Sequence, residues 1–182
     1  MGETPMGSAV SEGVTFLTDA AHFYPVELVW AGRSVFLLWR TNGTDAYVGT
    51  PTDLLLWPNI TRLRGHCLEH GLSLEESNSA PLQIDLDTLK RFVDSETELK
   101  PDVLLDLWNF FIDIESTHRS LAFSEMDGRL REVYGRVFSM TSAGDLAGAP
   151  PSPPTAEDVE QIRRILQLGL SMVRPLIEGA RK

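Results

Sequence analysis

The sequence predicts an α+β protein in which an N-terminal antiparallel β-meander of three to four strands packs against a largely helical C-terminal half. Three observations lead to this prediction. Short apolar segments rich in strand-forming residues are separated by glycine turns between residues 25 and 47. Apolar residues recur at helical spacing along most of the chain after residue 59. The composition, 42% hydrophobic and 23% charged over 182 residues, is typical of one globular domain.

The strands are predicted from three apolar segments and the turns between them. Residues 26–30 and 35–39 flank a glycine turn at residues 31–33. Asn42-Gly43 is a strong hairpin signal, because both residues tolerate a positive φ angle. Residues 46–49 would then form the third strand of the meander.

Helices are predicted from residue 59 onward. Asn59 is a suitable N-cap for a helix that reaches His70, and Gly71 is placed to end it. Pro101 suits the first turn of the longest helix, because its missing N–H would have no helical partner there. The further elements are, in order, a short strand at 72–74, a short helix at 85–93, the long helix from Lys100 to about Ala122, and an amphipathic helix over 130–138.

The two ends of the chain differ from the predicted domain at 14–147. Residues 1–13 are small and polar and predict a flexible tail. Residues 148–154 are rich in proline and predict a stiff linker to a last helix within 155–182, where Thr155 and Asp158 resemble a capping box. We expect that helix to pack on the core of the same chain, with pairing between two subunits in a homodimer as the alternative. The apolar stripe concerned consists of Val159, Ile162, Leu166, Val173 and Ile177.

The long helix carries a polar strip between two apolar faces. Asp106, Asn109 and Asp113 lie on it at helical spacing. Two carboxylates close together can hold a divalent ion or perform acid–base chemistry. The alternative, which we favour because no partner motif accompanies the strip, is structural: the strip faces solvent, or Asn109 fixes a neighbouring loop. His118 is interpreted as a packed core histidine.

Motifs for metals and cofactors are weak in this sequence. His66 and His70 lie four residues apart on one predicted helix, beside Cys67, but no second Cys/His pair supplies the remaining zinc ligands. We therefore predict no metal site. Neither a phosphate-binding glycine loop nor a nucleophile elbow occurs, so no cofactor is predicted. The tryptophans are assigned to the core, with a ligand pocket as the alternative; they are Trp30, Trp39, Trp57 and Trp108.

Charge favours a basic partner. The net charge of −10 argues against nucleic-acid binding, which needs clustered Lys and Arg. Residues 85–115 contain nine acidic and three basic side chains, a net charge of −6. Such a segment is usually a solvated face, but it can also dock a basic protein. The candidate partner-binding residues are Asp85, Asp87, Asp94, Glu96 and Glu98.

The sequence also predicts a cytoplasmic protein. Its single cysteine, Cys67, excludes an intramolecular disulfide and is typical of a reducing compartment. The first residues lack the basic end and apolar run of a signal peptide. The most apolar stretch, 103–114, is interrupted by two aspartates and is too short to span a bilayer, so no membrane contact is predicted.

Three segments within residues 25–121 together resemble a known family. They are Leu56-Trp57-Pro58-Asn59 with the helix and Gly71-Leu72-Ser73-Leu74 that follow, Ile84-Asp85-Leu86-Asp87-Thr88-Leu89, and the run from Leu104-Leu105-Asp106-Leu107-Trp108-Asn109 to Asp113-Ile114. In this order they resemble small acidic bacterial immunity proteins of polymorphic or contact-dependent toxin systems. The resemblance implies that the chain occludes a toxin without catalytic residues. It also implies structural roles for Trp108-Asn109 and Asp113.

The favoured hypothesis is therefore an immunity-type protein that binds and neutralises a cognate toxin by occlusion, without turnover. The partner would be a basic toxin domain, and the protein would not be an enzyme. The alternative is a small enzyme or ligand-binding protein with a pocket between sheet and helices.

Overall fold

A computed structural model describes residues 21–42, 44–50, 53–75, 81–117, 128–148 and 150–179 of the chain. It confirms the predicted α+β class. The elements are β1 (His22–Trp30), β2 (Arg33–Thr41), β3 (Ala46–Tyr47), α1 (Ile60–Glu69), β4 (Leu82–Asp85), α2 (Leu86–Val93), α3 (Pro101–Thr117), α4 (Gly128–Ser139), α5 (Ser142–Leu146) and α6 (Ala156–Gly179). The predicted tail at 1–13, His118 and the end of the predicted long helix lie outside the described residues.

The four strands form one sheet in the order β3-β2-β1-β4. The first three strands are antiparallel neighbours, which confirms the predicted meander. The prediction was wrong in treating any fourth strand as antiparallel, because β4 pairs parallel to β1. Parallel neighbours need a long crossover connection, and here that connection contains β2, β3 and α1. Residues 72–74 form no strand; only Leu74 bridges to Phe23.

The turn between β1 and β2 is held from outside the hairpin. Ala31 and Gly32 both have positive φ angles, 53° and 67°, as a two-residue hairpin turn requires. The carboxylate of Asp87, in the first turn of α2, accepts a 2.8 Å hydrogen bond from each of their backbone N–H groups. The negative charge of Asp87 therefore fixes α2 against the end of the hairpin.

Helices cover both faces of the sheet. Leu37 and Leu38 are neighbours on β2, point to opposite faces, and are both fully buried. Leu38 packs with Leu63 and Cys67 of α1 in the smaller apolar cluster. Leu37 belongs to the larger cluster, to which α2, α3, α4 and α6 contribute. The sheet therefore lies between α1 on one face and the other four helices of the two clusters on the opposite face.

The caps predicted for α1 are confirmed. The Asn59 side chain accepts a 2.9 Å hydrogen bond from the Arg62 N–H at the N-terminus. At the C-terminus, Gly71 has a φ of 67° and donates to the Leu68 carbonyl, while the Leu72 N–H donates to the Cys67 carbonyl at 2.8 Å. These two bonds form a Schellman motif, which satisfies carbonyls that the helix leaves open.

The last helix packs on α2 and α3 of the same chain. Four side chains of its apolar stripe, those of Ile162, Leu166, Val173 and Ile177, are buried in the larger cluster, and Val159 packs against that cluster while partly buried. Thr155 and Asp158 form the reciprocal hydrogen bonds of a capping box, and Asp158 also pairs with Arg136 of α4 at 2.5 Å. The short helix α5 was not predicted. None of the helices in the described part of the chain is long and apolar enough to cross a membrane.

Candidate functional site

A cleft of about 400 Å³ lies between the sheet and α3. Its polar side chains are Asp45, Asp106, Asn109 and Asp113. The remaining walls are four aromatic and two aliphatic side chains, namely Trp39, Tyr47, Phe110, Tyr134, Leu82 and Ile84. The cleft therefore combines three carboxylates with a largely aromatic lining.

The helical repeat of α3 brings the predicted polar strip to this cleft. Asp106, Asn109 and Asp113 are spaced by three and four residues, so they share one face of the helix. The strip lies beside an otherwise buried surface, because its neighbours Phe110 and Ile114 are in the core. The prediction that the strip faces solvent is thus only partly accurate, since it lines a concave surface.

The sheet supplies the opposite wall through paired residues. Trp39 of β2 and Tyr47 of β3 are direct partners across the antiparallel pair, so both side chains emerge on the α3 face. Thr117, the last residue of α3, accepts a hydrogen bond from the Tyr47 N–H at 3.0 Å and donates one to its carbonyl at 2.7 Å. Although β3 has only two residues, Tyr47 is held firmly against α3.

Among the carboxyls of the cleft, Asp113 has the most strongly raised pKa. Its Oδ2 accepts a 3.1 Å hydrogen bond from Nε1 of Trp39. Burial raises the pKa of Asp113 to about 6, the charge of Asp45 adds to the rise, and the Trp39 hydrogen bond opposes it. A carboxyl with this pKa changes its charge close to neutral pH.

The pKa values of Asp106 and Tyr47 are raised as well. Burial raises the pKa of Asp106, with a further contribution from the negative charge of Asp102. Burial, followed by the charges of Asp113 and Asp106, raises the pKa of the Tyr47 phenol well above its ordinary value. Tyr47 therefore stays a neutral hydrogen-bond donor at physiological pH.

Asn109 joins α3 to α4 through a side-chain hydrogen bond. Its Oδ1 accepts a 2.8 Å hydrogen bond from the hydroxyl of Tyr134 on α4. The Tyr134 ring also packs edge-on against Trp108, with ring centroids 5.3 Å apart. The segment that Asn109 contacts is therefore the helix α4, whereas the structural interpretation expected a neighbouring loop.

The negative charge of the cleft is not balanced within the described residues. No Lys, Arg or His of these ranges forms an ion pair with Asp45, Asp106 or Asp113. Two of the three carboxyls have raised pKa values, which is the expected result when acids partly withdrawn from water lack a positive partner.

No protein-family model, curated protein or solved structure matches this chain. The geometry of the chain itself is therefore the basis for any functional assignment.

The five predicted partner-binding acids occupy different environments. Asp85 caps α2 by accepting from the Thr88 N–H at 2.9 Å, and Asp87 holds the β1–β2 turn. Asp94 forms an ion pair with Lys90. Glu96 and Glu98 are exposed on the segment between α2 and α3. Thus Asp85, Asp87 and Asp94 have structural partners, and Glu96 and Glu98 face solvent.

The histidine pair on α1 lacks the surroundings of a metal site in the described chain. The rings of His66 and His70 lie 4.1 Å apart, and burial followed by the charge of His70 lowers the pKa of His66. Cys67 is buried in the smaller apolar cluster. No group of three His, Cys, Asp or Glu side chains that could hold a metal ion is present among the residues described.

The half of the cleft that the sheet contributes does not follow from the sequence patterns. These patterns favour the core for Trp39 and give no site role to Asp45, Tyr47 or Tyr134. The available signal was the predicted turn at Asn42-Gly43, of which Gly43 lies outside the described residues; the strands on either side of it pair Trp39 with Tyr47. Nothing in the local sequence indicates that this pair faces Asp113, 74 positions from Trp39.

Proposed function

We propose that this protein is a stoichiometric inhibitor of a basic protein partner, in the manner of an immunity protein, and that it acts in the cytoplasm without turnover. The observation that carries the proposal is the anionic cleft, whose three carboxylates have no positive partner among the described residues. It belongs to a chain with a net charge of −10. Uncompensated negative charge at a concave surface favours a partner that supplies positive charge.

In the proposed mechanism, one set of side chains attracts the basic partner and another holds it in the complex. Glu96 and Glu98 are exposed, so they contribute to the long-range attraction of a basic surface. The cleft is part-buried, and a Lys or Arg side chain of the partner that enters it would exchange water for carboxylates and aromatic rings. Occlusion then follows because the partner's basic surface is covered, with no chemical step.

The test is binding to the product of the neighbouring gene, measured by pull-down and then by surface plasmon resonance at 50 and 300 mM NaCl. We expect association to slow at the higher salt concentration, and more so for the wild type than for the double variant Glu96→Gln/Glu98→Gln. Asp113→Asn is expected to increase the dissociation rate instead. The matched control is Glu69→Gln on α1, which removes one charge from the helix on the opposite face of the sheet.

The proposed surface would be contradicted if a protein partner bound the wild type, Glu96→Gln/Glu98→Gln and Asp113→Asn at the same rates. The absence of binding to the neighbouring gene product, together with a small molecule that raises the melting temperature by several degrees, would replace the proposal by the second candidate.

The second candidate is a small enzyme or ligand-binding protein. The specific observation in its favour is the cleft of about 400 Å³ between sheet and helices, a size within the range of small-molecule pockets. A carboxyl with a pKa of about 6, as Asp113 has, can accept and donate a proton near neutral pH. This candidate predicts that Asp113→Asn abolishes a turnover measurable on a small substrate, which the inhibitor hypothesis does not.

A further inference from the structure

We propose that the cleft between α3 and the sheet is a binding site for an organic cation, an ammonium or guanidinium group carried on a short apolar stem. The inference deepens the proposed function, since a Lys or Arg side chain is one source of such a group. It can nevertheless be tested separately, because a small amine has the same chemistry as the side chain.

The charge of the ligand follows from the carboxylates. Asp45 on the β2–β3 connection and Asp106 and Asp113 on α3 face one cleft, and no basic side chain of the described residues pairs with them. Acids held together without a counter-charge repel one another, so a bound cation relieves that repulsion.

The Tyr47 hydroxyl is an independent indication of a ligand. Tyr47 is only 4% exposed and lines the cleft. Among the residues described, no group forms a hydrogen bond with its hydroxyl, whereas the Tyr134 hydroxyl and the Trp39 indole N–H both have partners. The hydroxyl is not one of the fully enclosed polar atoms that lack a partner in the described residues, so it opens on the cleft, where its oxygen can accept a hydrogen bond from an N–H group of an occupant.

The kind of cation follows from the other walls. The acids do not converge as metal ligation requires, because no set of three His, Cys, Asp or Glu side chains within the described ranges could hold a metal ion. Trp39, Tyr47 and Tyr134 provide the aromatic rings that attract organic cations. Leu82 and Ile84 of β4 provide an aliphatic surface for the stem. A hydrated metal ion would use neither wall.

Proton linkage gives the site a defined pH dependence. The titratable groups that face Asp113 are Asp45, Asp106, Tyr47 and Tyr134, and the Trp39 indole donates to it. Burial raises the pKa of Asp113 to about 6, so it is largely protonated at pH 5 and ionised at pH 7.5. A cation prefers the ionised form, and its affinity should therefore rise over this interval.

The experiment is isothermal titration calorimetry of the full chain with n-butylammonium and n-butylguanidinium at constant ionic strength. The controls are n-butyrate, which has the opposite charge, and 1-butanol, which has none. We expect one saturable site for the two cations, with affinities at least tenfold higher than for either control. Affinity should fall severalfold between pH 7.5 and pH 5.

Three variants separate a specific site from general attraction to an acidic protein. Asp113→Asn and Asp106→Asn should each weaken the two cations at least fivefold, and Tyr47→Phe should weaken them while it preserves the ring. Glu69→Gln on α1 removes the same charge elsewhere and should leave the affinity unchanged. Asp106 is the more exposed acid, so its variant tests the site even if Asp113→Asn fails to fold.

Equal affinities for Asp106→Asn and Glu69→Gln, or equal affinities for the cations and 1-butanol, would overturn the assignment. Competition distinguishes the two sources of the cation: butylguanidinium should displace a protein partner that inserts a side chain into the cleft. If the small cations bind but no protein partner is found, the cation site is supported and the inhibitor proposal is not. If the small cations do not bind, the cleft has no part in the inhibitor mechanism.

Discussion

At the scale of single residues, the ionisation of Asp113 should be visible in the stability of the protein. Burial raises its pKa to about 6 in the folded state, above the usual value of 3.8. The folded state then binds the proton more tightly between these two values, so this group makes the free energy of unfolding fall as pH rises from about 4 to about 6. The variant Asp113→Asn cannot ionise and keeps a side-chain oxygen as an acceptor for Trp39.

We therefore expect Asp113→Asn to gain stability relative to the wild type as pH increases through this interval. Urea unfolding of both proteins at pH 4.5 and pH 7.5 measures the effect. A stability difference between the two proteins that is the same at both pH values would show that Asp113 does not have a raised pKa.

A second residue-scale prediction concerns the contact between α3 and α6. A Cβ atom at Gly169 would lie 2.4 Å from the ring of Phe111, which is fully buried. Gly169→Ala should destabilise the protein by about 1 kcal/mol or more, because overpacking costs about 1–3 kcal/mol and exceeds the gain in helix propensity.

The matched control is Gly135→Ala on α4, where an added Cβ meets no atom within 4 Å. That variant should be stabilised by up to about 1 kcal/mol through helix propensity alone. Thermal or chemical unfolding of both variants tests the pair, and a stabilised Gly169→Ala protein would show that the two helices are not in close contact.

The residue scale also shows how much of the candidate site the sequence contains. The strip of Asp106, Asn109 and Asp113 follows from helical periodicity and could be predicted. Its partners Trp39 and Tyr134 could not, because the bonds that join them to the strip span 74 and 25 positions. Similarly, Asp87 was interpreted as a surface acid, although it binds backbone N–H groups 55 and 56 positions away. Local patterns carry no information on such pairings.

At the scale of elements, caps and turns were the most predictable features. Asn59, Gly71 and the pair Thr155–Asp158 act through atoms a few residues away, and the structure has each of them as predicted. The strand β4 was missed for the opposite reason. Its four residues become a strand only by pairing with β1, far away in sequence, and half of them are exposed.

The capping box supports a prediction for α6. Thr155→Ala removes the hydroxyl that accepts from the Asp158 N–H and also donates to the Asp158 carboxylate at 2.7 Å. We expect a loss of about 1 kcal/mol in the free energy of unfolding, while Thr155→Ser, which keeps the hydroxyl, should lose much less. If the serine and alanine variants unfold at the same denaturant concentration, the cap contributes nothing to stability.

At the scale of the whole molecule, α6 is part of the core rather than an appendage. Leu166 is 0% exposed and Leu168, on the same helix, is 48% exposed. Leu166→Ala should cost about 2–5 kcal/mol, whereas Leu168→Ala should cost less than about 0.5 kcal/mol. Deleting residues 150–182 should uncover the larger apolar cluster and cause aggregation.

Size-exclusion chromatography and thermal unfolding check both statements. A soluble, monomeric truncated protein with an unchanged melting temperature would contradict the role of α6 in the core. Similar costs for the two leucine variants would contradict the orientation of the helix.

The parallel pairing of β4 with β1 bears on the order of events in folding. The β1–β2 hairpin has a two-residue turn and can form within about 1–10 μs, whereas the bond from Ala31 to Asp87 must close a separation of 56 positions. We expect the hairpin to form early and the attachment of β4 and α2 to complete the fold late. In stopped-flow measurements, Asp87→Ala should then accelerate unfolding and leave the folding rate nearly unchanged, since its hydrogen bonds form after the transition state. A variant that folds more slowly and unfolds at the normal rate would place this long-range contact in the nucleus instead.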